Sequence, residues 1–242
     1  MSAGTDKAKT AKSARKISIP GEVGLILGLL TDAIGVSFIL KAEFGLSPVV
    51  SVQYALSQTF DFISYGTWSY LTQAAALVVL LAVIRRFQPV YLFSMLMAVG
   101  FGYLIDLFNF LIRDLPMDFL LRTVYFAFGF FIVSLGIALF MLCKMPLLPI
   151  ELMIREITEY KGIQLRRFKT VMDIGCVISA ALITFAAFGF VKGLGAGTLI
   201  SAFFMGCMTQ LIRDLLNRFF EFGTIEDSAS REIKEGKKDE LL

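Results

Sequence analysis

The chain has 242 residues, of which 57% are hydrophobic and 18% charged, with a formal net charge of +3. Soluble domains carry about 45–50% apolar residues, so this composition excludes an ordinary water-soluble domain, and so small a positive charge excludes nucleic-acid binding as its main task. The chain contains no histidine, which removes the commonest general base, metal ligand and pH switch.

The mean hydropathy of +0.74 is not evenly spread. Long apolar blocks alternate with short charged clusters, the pattern of lipid-spanning segments. Residues 1–20 form a polar arm with Lys7, Lys9, Lys12, Arg15 and Lys16. The apolar stretch opening at Gly21 is too long for the core of a cleaved signal peptide and is expected to be a retained first span. Spans are expected at 21–41, 67–86, 90–112, 117–142, 168–191 and 197–220, with shorter elements at 48–60 and 149–160. At about 1.5 Å per residue each long block reaches about 30 Å, the thickness of the hydrocarbon layer. The short ones reach about 20 Å and do not clearly cross. In the second of these, Ile150, Met153, Ile154 and Ile157 form one apolar stripe, while Glu151, Arg155 and Glu159 occupy the opposite face. Four ionisable groups, counting Glu156, would make a spanning helix costly, so an interfacial or re-entrant helix is expected.

The order long–short–long–long occurs twice. Gly35 precedes Pro48 by the interval at which Gly136 precedes Pro149, and Leu92 precedes Gly100 by the interval at which Thr198 precedes Gly206. The expected organisation is a basic cytoplasmic arm (1–20), a first membrane repeat (21–112), a connection (113–122), a second repeat (123–222) and a charged, disordered cytoplasmic tail (223–242). The fold class is an all-α polytopic bundle. Three spans per repeat is an odd number, which inverts the second repeat relative to the first. With the N-terminal arm inside, Arg85, Arg86, Lys144, Lys161, Arg166, Arg167 and Lys169 also fall inside. Eight spans in parallel repeats are the competing arrangement. Cys143, Cys176 and Cys207 are far apart in sequence and fit neither a disulfide framework nor a zinc site.

Several stretches together resemble the YczE/YyaS/YitT-like integral membrane proteins of prokaryotes. Gly45-Leu46-Ser47-Pro48 is similar to that family's turn after the first span. Pro149 with Glu151 resembles its Pro-x-acid pattern, and Lys169-Thr170 with Asp173 its basic-Thr-x-x-acid pattern. Gly195-Ala196-Gly197-Thr198 resembles its G-x-G-T turn, and Gly206 with Gln210 its last-span pair. The likeness covers about residues 20–216. It departs at Gln88-Pro89-Val90-Tyr91, where the first-half G-x-G-T counterpart is weak. The resemblance implies a membrane protein, often filed as a permease, and little more about activity.

Candidate functional residues follow from cost. Asp32 sits near the middle of the first span, where a carboxylate is expensive and faces the bundle interior or water. It is either a functional group or a buried polar anchor. Ser47 and Pro48 suit the first turn of a helix, whose positive end could meet an anion if the element is re-entrant. Pro149 and Glu151 begin the second short element. Asp106, Asn109 and Arg113 recur at helical spacing and could form one polar strip. Lys169, Thr170 and Asp173 open the seventh helical element, where Lys169 and Asp173 can pair. Gly197 and Gly206 allow close approach, and Thr198 and Gln210 can hydrogen-bond across helices.

The expected function is a small secondary transporter or permease for an unidentified small solute, with its site between the repeats. The alternative is a non-transporting accessory or regulatory subunit acting through a partner protein. An enzyme is not expected, since the chain lacks a nucleophile elbow and a metal cluster. No cofactor or metal is expected. The expected partners are the lipid bilayer, a small-molecule solute, and a second copy or a partner membrane protein, with nucleic acid excluded. The expected location is the prokaryotic cytoplasmic membrane, with both termini cytoplasmic.

Overall fold

The computed structural model describes residues 17–143 and 148–223. The basic arm up to Lys16, Lys144 and the charged tail from Thr224 lie outside the described residues. Eight helices carry nearly all of the described chain: α1 Gly21–Ala42, α2 Pro48–Thr59, α3 Tyr65–Ile84, α4 Pro89–Ile112, α5 Phe119–Leu142, α6 Pro149–Lys161, α7 Leu165–Phe188 and α8 Ala196–Phe219. Six of them have 20 to 24 residues and are apolar enough to cross a membrane. The other two, α2 and α6, have 12 and 13 residues. At about 1.5 Å per residue they cover about 18–20 Å, short of the hydrocarbon layer. The eight-span arrangement is therefore not found.

The helix ends follow local chemistry. Proline occupies the first turn of α2, α4 and α6, where its missing N–H costs nothing. Ser64 caps α3, its hydroxyl accepting from the Thr67 N–H at 3.1 Å. The seventh element ends at Phe188 rather than near 191, because Gly189 takes φ +77° and terminates the helix.

Two short strands, β1 Ile17–Pro20 and β2 Phe220–Gly223, pair in parallel with Ile17 opposite Phe220. They were absent from the all-helical expectation. One leads into α1 and the other leaves α8, so their pairing sets the start of α1 beside the end of α8.

The centre is the crossing of α1 and α5, the two most enclosed spans. Helices that cannot rely on the hydrophobic effect in lipid pack through small residues and close backbones. A Cβ at Gly35 would lie 2.6 Å from the Val133 backbone nitrogen, and one at Gly129 would lie 2.7 Å from the Gly35 carbonyl oxygen. A turn or two away, a Cβ at Gly136 would lie 2.9 Å from the Asp32 Cβ, and Gly28 faces Gly136 and Phe140. Residue numbers rise along α1 as they fall along α5, so the two helices run antiparallel. Gly66 and Gly102 bring α3 and α4 together in the same way.

The short helices pack reciprocally. α2 lies against α7 and α3, and α6 lies against α3 and α7. Val49, at the start of α2, packs on the apolar cluster that contains Ile150 at the start of α6. Val50 and Leu148 both pack on the α1–α4–α5 cluster. Both short helices therefore point their N-terminal ends into the protein, whereas Leu182, Phe203 and Val78 on the spans face outward.

Replacing Gly35 by alanine is expected to force α1 and α5 apart and to cost about 1–3 kcal/mol of overpacking. Gly175→Ala, where nothing lies within 4 Å, is expected to leave stability unchanged or raise it by up to about 1 kcal/mol. Thermal unfolding of the two purified variants in the same detergent compares them directly.

Candidate functional site

Asp32 is 8% exposed, and its Oδ1 has no hydrogen-bond partner among the described residues. Buried polar atoms are normally paired, and an ionisable group inside a span marks a functional site by default. The α1–α5 crossing holds Asp32 in place, since its backbone packs against Gly136.

Tyr65, at the start of α3, lies within electrostatic reach of both Asp32 and Asp106. The Tyr65 hydroxyl donates to Gln53 Oε1 at 2.8 Å, and Gln53 Nε2 donates to Thr72 Oγ1 at 3.1 Å. Ser69 and Gln73 follow Tyr65 at one-turn intervals along α3. Both are buried, and Ser69 Oγ and Gln73 Oε1 also lack partners among the described residues.

Glu151 also lies within electrostatic reach of Asp32. It is the third residue of α6, where the free N–H groups of the first turn favour a carboxylate. Protein atoms crowd around Glu151, yet the residue is exposed. Burial holds its carboxyl above the usual range, opposed by the Lys169 ammonium and reinforced by Asp173. Lys169 is exposed, and among the described residues no ion pair joins it to Asp173. Both lie within electrostatic reach of Glu151 and of each other.

A pocket of about 340 Å³ opens beside the C-terminal ends of α1 and α4. Lys41, Glu43, Tyr54, Asn109 and Arg113 line it, and so does Tyr65, which connects it to the interior cluster. Burial, with Glu43 nearby, pushes the Tyr54 hydroxyl up to about 12, so it stays a neutral hydrogen-bonding group.

The expected polar strip of Asp106, Asn109 and Arg113 divides. Asp106 turns to the start of α3, accepting from Ser64 Oγ at 2.5 Å and from the Gly66 N–H at 2.8 Å. It neutralises that helix's positive end. Asn109 lines the pocket, and Arg113 pairs with Asp114 and lies over the Phe110 ring.

Ser47 occupies the cap position of α2 but makes no side-chain cap bond; its carbonyl receives the Ser51 N–H at 2.8 Å. Pro48 and Pro149 each take the first helical position, and Pro149 is fully buried. Thr170 donates back to the Arg166 carbonyl and is exposed.

Gly197 donates its N–H to the Phe44 carbonyl at 2.9 Å, and a Cβ there would lie 2.7 Å from Phe126. Thr198 Oγ1 accepts from the Gly195 N–H at 3.3 Å. Gly45, at φ +125°, packs against Thr198, and Leu46 donates to the Gly193 carbonyl at 3.1 Å. The two turn motifs of the two halves thus dock on each other. Gly206 instead faces open space and Gln210 is exposed, so the close approach expected there does not occur within one chain.

Gln53, Tyr65, Ser69, Thr72 and Gln73 were not singled out from sequence. For Tyr65, Ser69 and Gln73 the signal was their recurrence at i, i+4 and i+8 along α3.

This is a helical membrane protein with a buried polar cluster at its centre. A family model described as a family of unknown function, DUF6198, matches residues 20–214, and the chain belongs to that family. It is 24% identical to the uncharacterized protein YyaS of Bacillus subtilis over 199 residues, covering 80% of this chain and 92% of that protein. It is 27% identical to the uncharacterized membrane protein YczE of the same organism over 184 residues, covering 76% and 80%. No solved structure matches.

A carboxyl whose folded-state pKa is raised favours its protonated form in the fold, so the stability it allows is lost as pH rises through that pKa. Glu151→Gln is therefore expected to flatten the decline of thermal stability with rising pH, measured as Tm against pH for both proteins. Asp106→Ala is expected to cost about 1–3 kcal/mol through the orphaned α3 N-terminus, read as a lowered Tm.

Proposed function

We propose that this protein is a small secondary transporter or permease, without enzymatic activity, that carries a small solute through a site between two inverted three-span halves. The observation that carries the reading is the unpartnered Asp32 Oδ1, buried midway along α1. A carboxylate kept at such a position without a protein partner is costly and is naturally explained by a ligand or coupling ion.

The arrangement around Asp32 supports this. Two sets of three spans imply opposite orientations, and the antiparallel crossing of α1 with α5 at paired glycines fits such a relation. Short helices whose N-terminal ends meet inside the protein resemble the broken helices of transporters. The Tyr65 pocket would open to one side of the membrane and the Glu151 region to the other. Small rotations of one half against the other about the α1–α5 crossing would expose Asp32 alternately. Arg85, Arg86, Lys161, Arg166, Arg167 and Lys169 gather at helix ends on the side of the α1 N-terminus, which by the positive-inside rule is the cytoplasmic face of a prokaryotic cytoplasmic membrane.

The test is uptake into vesicles reconstituted with the purified protein, using a solute selected by thermal shift from a metabolite panel. Asp32→Asn keeps the shape and removes the charge. It is expected to lower the uptake rate at least about tenfold, ~1.4 kcal/mol. Undiminished uptake by that variant would remove Asp32 from the mechanism.

A further inference from the structure

The positive-inside rule gives a role to the Lys and Arg residues on the side of the α1 N-terminus. The opposite helix ends carry four described cations, Lys41, Arg113, Arg122 and Lys192, to which that rule gives none. All four converge on one place. Lys41 and Arg113 line the pocket of about 340 Å³. Arg122 pairs with Glu43 and Lys192 donates to Gln58 Oε1, and both of those acceptors line the same pocket.

Their charge is only partly answered. Glu43 is the one carboxylate in the pocket wall among the described residues, and Arg122 neutralises it. Lys41 and Lys192 form no ion pair among the described residues. Lys41 gives a proton to the Arg113 carbonyl at 2.5 Å, which leaves it two further N–H donors. Arg113 meets Asp114 through a single contact of 3.3 Å, with both side chains exposed, and such pairs are weak. Because a lysine can only donate, Lys192 fixes the Gln58 amide with its NH2 as the free end, a further donor.

A cationic solute would be repelled by Lys41 and Arg113, and a neutral one would leave their charge unanswered. The pocket lies beside the C-terminal ends of α1 and α4, where concentrated negative charge is disfavoured. A single carboxylate therefore fits better than a phosphate dianion. The volume lies within the range of about 300–1,000 Å³ usual for small-molecule sites, more than a bare inorganic ion fills. Leu40, Ile112 and Met117 give the pocket an apolar side.

We infer, resting on the permease reading above, that this pocket is the outer entry site and takes a small organic carboxylate, its head held by Lys41 and Arg113 and its apolar body lying against Leu40, Ile112 and Met117. Tyr65 lines the pocket and lies within electrostatic reach of Asp32, so it joins the entry site to the interior.

The experiment is a thermal-shift titration of the purified full-length protein in detergent. Sodium butyrate and sodium benzoate are compared with butyramide, butylammonium chloride, sodium phosphate and dihexanoyl phosphatidylglycerol, with sodium chloride holding the ionic strength constant. A saturable rise in Tm with butyrate or benzoate, absent with the other four, is expected. Lys41→Gln and Arg113→Gln are each expected to weaken the apparent affinity at least about tenfold. Arg113 is exposed at a helix end, so Arg113→Gln decides the matter should Lys41→Gln fail to fold. An equal rise with butyramide or butylammonium, a response confined to phosphate or the anionic lipid, or an unchanged affinity in Arg113→Gln overturns the inference. Saturable carboxylate binding with no carboxylate flux in vesicles sinks the permease reading and leaves the carboxylate site standing. Uptake of a cation or a neutral solute with no carboxylate response does the reverse.

Discussion

The contact between α1 and α5 is centred on glycines. Gly35 and Gly129 place backbone against backbone, and a methyl group at either would collide with main-chain atoms of the other helix. In lipid the apolar surface of a helix gains little by leaving its surroundings, so association depends on close packing and short-range contacts. A glycine crossing supplies that and fixes the relative rotation of the two helices. The rotation in turn sets where Asp32 lies: its backbone packs on Gly136, and its carboxyl is enclosed by protein. Moving the crossing by one residue would turn the carboxyl by about 100° on the helix wheel and carry it out of its position.

The remaining elements are arranged about this pair. α4 packs on α1, and α8 on α5. Each short helix is held by long helices from both halves, since α2 lies on α7 and α3 while α6 lies on α3 and α7. The turn at Phe44–Gly45 and the turn at Gly195–Gly197 complete the connection through main-chain hydrogen bonds. Interhelical hydrogen bonds within a membrane cannot be replaced by water, so each one made between backbones is retained. This scaffold leaves a small number of buried polar atoms without partners among the described residues, Asp32 Oδ1 among them.

The acidic groups show how similar residues take different roles. Asp106 and Asp32 are both carboxylates within spans. Asp106 receives two hydrogen bonds from the start of α3 and completes that helix. Asp32 has no donor for its Oδ1 among the described residues. Glu151, at the start of α6, is placed where a helix dipole favours its charge and burial opposes it. Two of the three are thus tied to helix ends, and Asp32 is not.

Much of the architecture was readable from the chain. Six hydrophobic stretches of spanning length, two shorter ones, and prolines at the starts of α2, α4 and α6 set the element order with shifts of a few residues at the ends. These are local properties, governed by hydrophobic length and by the geometry of single residues. The cost of a carboxylate in lipid was also enough to single out Asp32. What the tertiary structure decided was partnership. It turned Asp106 toward Gly66, 40 residues away, rather than toward Asn109 and Arg113. It left Gly206 and Gln210 at the surface, and it brought Tyr65 within reach of Asp32 while joining it to Gln53. These outcomes depend on how each helix is rotated about its own axis. That rotation is set by contacts between residues distant in the chain, above all the glycines of α1 and α5, which no local pattern encodes.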